Sequence, residues 1–242
     1  MQGMASENKL LASLDEIERA AIAPHVRRRE YSLGQVVYDH GDRISEVHFV
    51  TAGMISVLAV MEDGTAVETM VIGSEGVVGD GGAHGPDTHY GRALVQMQGA
   101  SLSVDSGRMQ DLVGRHPGLR RALTRYAHSL VSEAQQNAAC NAVHRLESRL
   151  AKWLLRCHDR TQADILPMTQ EFLSYMLGAQ RTTVTEVARR LQFAGLIRYS
   201  RGKIEVLDRA GLERAACECY GMVQERRRGL GLPELGPSGP VH

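Results

Sequence analysis

No cysteine occurs in the first 139 residues of this 242-residue chain, and the four present, at 140, 157, 217 and 219, do not form a disulfide framework. A reducing cytoplasm is the compartment that this usage fits. The chain also lacks a run of about 20 apolar residues and a charged-then-apolar leader, so neither a membrane span nor a secretory signal is expected. Net charge is absent too: 28 Lys and Arg balance 28 Asp and Glu. A nucleic-acid binder ordinarily carries a basic footprint, but the balance conceals an asymmetry. Residues 1–139 hold 12 basic and 17 acidic side chains, whereas residues 140–242 hold 16 and 11. An acidic first half and a basic second half imply two units with different partners, and the length lets each bury a core.

The sequence offers no nucleophile–base pair and no metal triad. Cys217 and Cys219 form a lone C-x-C, and two residues apart on a helix they point to different sides, so they read as free thiols and no metal site is expected. A cupin-like metal enzyme, the remote enzymatic alternative, needs closely spaced histidines that H-x4-H at His84 and His89 does not supply; with His40, these read as solvated loop residues. The chain is therefore not expected to be an enzyme.

What is present is concentrated in TQEFLSYMLGAQRTTVTEVARRLQFAGLI, residues 169–197. Phe172, Leu173 and Met176 recur at helical spacing, Gly178-Ala179 supplies a tight turn, and a second helix opens at Gln180 with Val184, Val187, Ala188 and Leu191 inward. Gln180, Arg181, Thr182, Thr185, Glu186 and Arg189 are its polar remainder. An ordinary helical hairpin would satisfy the same pattern. The next residues, RYSRGKIEVL, decide between the two readings: two β-prone runs around Ser200-Arg201-Gly202-Lys203 read as a hairpin with a basic tip, a wing whose Arg201 and Lys203 would meet phosphates. A polar helix start fits the DNA major groove, where arginine pairs with guanine edges. Double-stranded DNA is the expected partner.

Sixteen of the 25 glycines precede residue 119 and punctuate short apolar runs there, as strands with tight turns would require. Alternation such as Val47 and Phe49 against His48 and Val50 suits a small barrel or jelly roll. Lys9 to Pro24, with Leu10, Leu14, Ile17, Ala20 and Ala21, reads as a helix packed on it, and residues 1–6 as loose. Pro117 opens a long helix to about Asn141, carrying Leu119, Leu123, Tyr126, Leu130 and Val131 and then Ala134 and Ala138. Its length, roughly 36 Å at ~1.5 Å per residue, and its small residues favour packing against a second copy. His144 to His158 reads as a further helix with Trp153, the only tryptophan, as a core anchor, and Asp208 to Arg228 as another with Asp208 as N-cap. The Gly- and Pro-rich tail, 229–242, reads as disordered.

A β-roll, a long central helix and a winged helix-turn-helix, in that order, resemble the Crp/Fnr family of bacterial transcription regulators, typified by the cyclic AMP receptor protein and Fnr. The resemblance rests on residues 31–60, on TQEFLSYMLGAQRTTVTEVARRLQFAGLI and on the order of parts, and runs through about residues 9–208. It implies an α+β chain: a cyclic-nucleotide-binding-like roll over 1–116, a central dimerisation helix over 117–142 and a winged helix-turn-helix over 143–228. It further implies a homodimeric, sequence-specific DNA-binding regulator, with RNA polymerase as a candidate further partner. Arg181 matches the family's guanine-reading arginine; Thr169 and Thr183 stand at helix starts, where hydroxyls donate to phosphate, although Thr183 is left between that role and capping or packing; and Thr182 stands where many members have Glu and Glu186 where the cyclic AMP receptor has a second arginine, so the operator should differ from the receptor's. Glu186 is left between a cytosine contact and a surface pair with Arg189 or Arg190.

The family's cyclic-nucleotide pocket maps onto Glu75, Gly76 and Arg92, but the arginine is displaced by one residue, which on a strand turns it to the opposite face. A cyclic nucleotide is therefore the alternative ligand, and an unidentified ligand or none the leading expectation. Fnr-type iron–sulfur sensing requires N-terminal cysteines, which are missing.

Overall fold

The computed structural model describes residues 7–85, 87–161 and 163–235. Two short helices, α1 (Lys9–Ala12) and α2 (Glu16–Ile22), come first among the described residues. The expected single helix is interrupted because Asp15 caps a new start, its carboxylate accepting from Glu18 N at 2.9 Å. Leu10 and Leu14 are buried as their spacing suggested, but the break turns Ile17 outward, 75% exposed, and leaves Ala20 exposed as well, with Ile22 buried instead. The looseness expected of residues 1–6 lies outside the described residues.

Six antiparallel strands form the roll: β1 (Arg27–Tyr31), β2 (Val36–Tyr38), β3 (Glu46–Val60), β4 (Ala66–Ile72), β5 (Val77–Val78) and β6 (Arg92–Asp105). The long β3 and β6 pair along most of their length and bulge between Val50 and Ile55. There the backbones close in until a Cβ on Gly99 would sit 1.9 Å from Ala52 O, and Gly53 has φ +77°. Glycine is thus required on both strands where the sheet bends. Val47, Phe49, Leu102 and Val104 fill one side of the roll and join Leu10, Leu11 and Ile22 in a single core.

Helix α3 (Ser106–Arg115) leads into α4 (Pro117–Val143), 27 residues or about 40 Å at ~1.5 Å per residue. The apolar positions divide between two faces. Leu119, Leu123, Tyr126 and Leu130 are buried against the roll, whereas Val131 and Ala138 are exposed on the other side. After a two-residue link, α5 (Leu146–Thr161) returns with Leu150, Trp153, Leu154 and Cys157 buried.

A three-stranded sheet of β7 (Ile165–Pro167), β9 (Lys203–Val206) and β8 (Ile197–Ser200), in that order, closes around α6 (Gln170–Leu177) and α7 (Arg181–Phe193). Their shared core of Leu173, Val184, Leu191 and Ile204 extends without interruption to Met54, Leu58 and Val71 of the roll.

The last helix expected over 208–228 is two helices, α8 (Arg209–Ala215), capped by Asp208, and α9 (Cys219–Gly229). Ala216 adopts an extended conformation, φ −68° and ψ 156°, and the chain turns there. The assumption that Cys217 and Cys219 sit on one continuous helix is therefore overturned: both are buried, on one side, against Cys140. The tail is also more ordered than its composition suggested. Leu232 and Leu235 are buried, and Lys9 Nζ donates to Glu234 O at 3.0 Å, so residues 230–235 fold back toward the roll. The disorder expected of 236–242 falls outside the described residues.

Candidate nucleic-acid interface

Thr169 starts α6 as its N-cap, the hydroxyl oxygen accepting from Phe172 N at 3.1 Å, and leaves its own proton free to donate. Gly178, at φ 57°, ends that helix in a left-handed turn with Gly178 N and Ala179 N donating to the last carbonyls. The turn delivers the start of α7 to the surface. Gln180 occupies its N-cap without a side-chain cap bond, and Arg181, Thr182 and Thr183 of the first turn are all exposed, while Val184, Val187, Ala188 and Leu191 anchor the opposite face.

Strands β8 and β9 are joined by Ser200-Arg201-Gly202-Lys203, with Arg201 at φ 48° and Gly202 at φ 75°. Two successive left-handed residues make the turn that matches strand twist. Gly202 adopts it freely; Arg201 holds it against its preference, at a cost of order 1 kcal/mol. Together the wing, the start of α6 and the start of α7 enclose a cleft of about 370 Å³ lined by Thr169, Gln170, Arg181, Tyr199, Ser200 and Arg201. Burial raises the Tyr199 phenol above its usual range and the Arg181 guanidinium counteracts this. A smaller depression of about 190 Å³ alongside contains Thr185, Arg189 and Gln192. Lys203 is exposed at the base of the wing, outside the cleft lining.

The predicted contact residues are therefore brought together unequally. Thr169, Arg181 and Arg201 share the cleft; Gln180, Thr182 and Thr183 stand exposed around the start of α7. Thr185 donates its hydroxyl proton to Arg181 O at 2.8 Å and is half-buried. Glu186 pairs with Arg190 one turn along, and Arg190 lies 3.6 Å from Glu147. The Glu186 carboxylate is thus paired on the helix surface. Sequence reasoning missed Gln170, Tyr199, Ser200 and Gln192; the one signal for Gln170 was its place directly after the capping threonine.

The cyclic-nucleotide positions do not converge. Arg160 Nε donates to Glu75 at 2.8 Å, and although burial would raise this carboxyl, Arg160 and then Arg227 hold it below the usual carboxylate range. Arg92 makes a two-pronged pair with Asp39, at 2.8 and 3.1 Å, on the outside of the roll. Gly76 packs against Tyr126, where a Cβ would meet Oη at 2.3 Å, and its N–H already donates to Gly73 O at 3.0 Å. The roll does contain a cavity of about 380 Å³, but Ile72, Val77, Val78 and Leu130 wall it, and its acid is Asp80, which burial pushes up. Among the described residues lining it there is no arginine or lysine. Thr88, His89 and Tyr90 complete its polar lining, which thus lacks the guanidinium that would hold a buried cyclic phosphate. His89, read from the sequence as solvated, is instead buried: it stacks on Tyr38 with centroids 5.3 Å apart, its Nδ1 3.0 Å from Gly91 O.

Comparison with known proteins finds two family domains in the chain. Residues 28–116 match the cyclic nucleotide-binding domain and residues 148–215 the Crp-like helix-turn-helix domain. The transcriptional regulator SdrP of Thermus thermophilus is 29% identical over 69% of this chain and 82% of its own length. The HTH-type transcriptional regulator Cmr of Mycobacterium tuberculosis is 27% identical over 85% and 82%. A crystal structure of a CRP/FNR-family transcriptional regulator from Thermus thermophilus superposes with a TM-score of 0.65 at 25% identity, covering 78% of this chain and 98% of the other. Among the described residues no helix is long and apolar enough to cross a membrane. With a helix-turn-helix and wing built around one basic cleft, and with both family domains in order, the chain belongs to the Crp/Fnr family of transcriptional regulators.

Proposed function

We propose that the protein acts as a homodimer on a palindromic DNA operator, with Arg181 reading a base edge, Thr169, Arg201 and Lys203 holding phosphates, and the roll serving as a sensor without a cyclic-nucleotide site. The observation that carries this reading is the shared cleft of α6, α7 and the wing, in which Arg181 and Arg201 project from two different elements toward one groove-sized surface. The second copy is supported by α4. Thr124, His128, Val131, Gln135, Ala138 and Ala142 are all exposed and recur at alternating spacings of four and three, the seam of a two-helix coiled coil.

Footprinting with purified protein tests the reading. Protection of an imperfect palindrome with half-site centres about 10 to 11 base pairs apart is expected; no protected site upstream of its own gene at low salt would count against it. The cyclic-nucleotide-responsive alternative rests on the domain match at residues 28–116. Calorimetry with cyclic AMP and cyclic GMP decides it, and the roll's geometry predicts no heat and no change in DNA affinity.

A further inference from the structure

Three cysteines and a histidine that are far apart in sequence meet at the joint between the central helix and the DNA-binding end of the chain. Cys140 lies on the last turns of α4, His144 caps that helix, and Cys217 and Cys219 flank the break between α8 and α9. One ligand atom from each, three Sγ and a ring nitrogen, fall within 4.8 Å of one another. We propose that these four residues bind a single thiophilic divalent ion of the zinc class, in tetrahedral Cys3His coordination.

The distances favour one ion over other thiol chemistry. Ligands at tetrahedral angles around an ion with bonds of about 2.0–2.3 Å stand about 3.3–3.8 Å apart. Here Cys140 Sγ and Cys217 Sγ are 3.5 Å apart, and Cys219 Sγ is 3.6 Å from His144 Nδ1. An iron–sulfur cluster spreads four ligands over at least two irons, so that some pairs would stand further apart than the 4.8 Å that spans this set. A disulfide between Cys140 and Cys217 would use two of the four donors and leave Cys219 and His144 without a common purpose.

The surroundings are those of a ligand set. His144 turns Nδ1 toward the sulfurs, and Nε2–H donates to Glu218 Oε1 at 3.1 Å, the carboxylate–histidine pairing that fixes the tautomer a metal needs. Gln136 Nε2 donates to Cys219 Sγ at 3.0 Å and Lys152 Nζ to Cys140 Sγ at 3.2 Å. Three thiolates on a dication leave one surplus negative charge, and the buried ammonium of Lys152 opposes it. The three cysteines are buried and form a small cluster separate from the hydrophobic cores. Occupied, the ion clips the link between α4 and α5 to the α8–α9 break, so that the DNA-binding end is held to the central helix by bonds independent of apolar packing.

The full chain, purified reduced, without a polyhistidine tag and without chelator, is the sample for the test. Elemental analysis with native mass spectrometry is expected to give one zinc per chain, and cobalt exchange to give tetrahedral ligand-field bands with thiolate charge transfer. Glu218→Ala keeps all four ligands and should weaken zinc affinity about 10–100-fold in competition with a chromophoric chelator, while Cys217→Ser should abolish the cobalt–thiolate bands. Should the cysteine variant fail to fold, the E218A measurement stands alone. Wild-type protein that binds no zinc after equilibration with a molar excess, zinc whose affinity E218A leaves unchanged, or iron with acid-labile sulfide in its place would overturn the assignment.

Discussion

Arg181 and Lys203 are both exposed cations near one cleft, yet their positions ask different things of them. Arg181 opens α7, whose first turn would meet base edges in the proposed complex, whereas Lys203 lies on the wing, where it would meet the phosphate backbone. Arg181→Ala should cost about 1 to 3 kcal/mol at the cognate site and relax preference at one base pair, while Lys203→Ala should weaken all sequences alike and reduce the salt slope by about one. Equal losses on cognate and random duplexes for R181A, measured by fluorescence anisotropy over a salt series, would refute the division. A second residue-scale effect lies inside the roll. His48 is buried beside the Tyr31 and Tyr38 hydroxyls, and burial depresses its pKa from 6.5 to about 4. The fold therefore prefers the neutral ring, and stability falls as pH drops from 6.5 toward 4, by up to about 3 kcal/mol. Other carboxylates titrate in the same window, so the check is a difference: His48→Gln should unfold in urea with a flatter pH dependence than wild type. Neither the partners of His48 nor the diversion of Glu75 to Arg160 was legible in the sequence, because both depend on contacts 10 to 85 residues away.

At the scale of elements, periodicity was legible and interruption was not. The helix-turn-helix, the wing and the long helix all announced themselves through apolar spacing and through Gly178 and Gly202. The break at Ala216 carries neither glycine nor proline, and its extended backbone follows from tertiary packing that buries Cys217 and Cys219 together. For the same reason the spacing of α4 could not reveal which apolar residues face the roll, since a helix this long presents two buriable stripes. Leu123 and Leu130 went to one and Val131 to the other. Val131, at 55% exposure the largest apolar side chain on the outer stripe, then becomes the point at which the proposed dimer is most vulnerable. Val131→Glu sets two carboxylates across a two-fold axis and forfeits about 1.5 kcal/mol or more of apolar burial per chain. Sedimentation equilibrium should record a dimer constant at least tenfold weaker, with the monomer's melting temperature unchanged. A variant as dimeric as wild type would move the interface off α4.

The whole molecule is joined through a buried polar seam where roll, central helix and DNA-binding end meet. Arg160 on α5 donates to Glu75 of the roll at 2.8 Å and reaches Glu133 of α4 at 4.0 Å; Arg156 pairs with the same Glu133, and Trp153 Nε1 donates to Glu68 at 2.9 Å. The apolar core runs through the seam from Met54 to Leu191. A chain tied in this way should unfold in a single transition, because exposing the helix-turn-helix also exposes the face of the roll on which it rests. Removing one partner of a buried pair leaves the other charge stranded, at a cost of about 3–5 kcal/mol. Arg160→Met strands Glu75 and should destabilise the chain by that amount, separating the calorimetric trace into two transitions as the halves lose their common seam. Cyclic AMP should rescue neither, since Glu75 is engaged with Arg160 rather than with a ribose. A wild-type trace already divided in two, or an R160M variant within about 1 kcal/mol of wild type, would mean that the seam transmits nothing and that the sensor and the DNA-binding end communicate by another route.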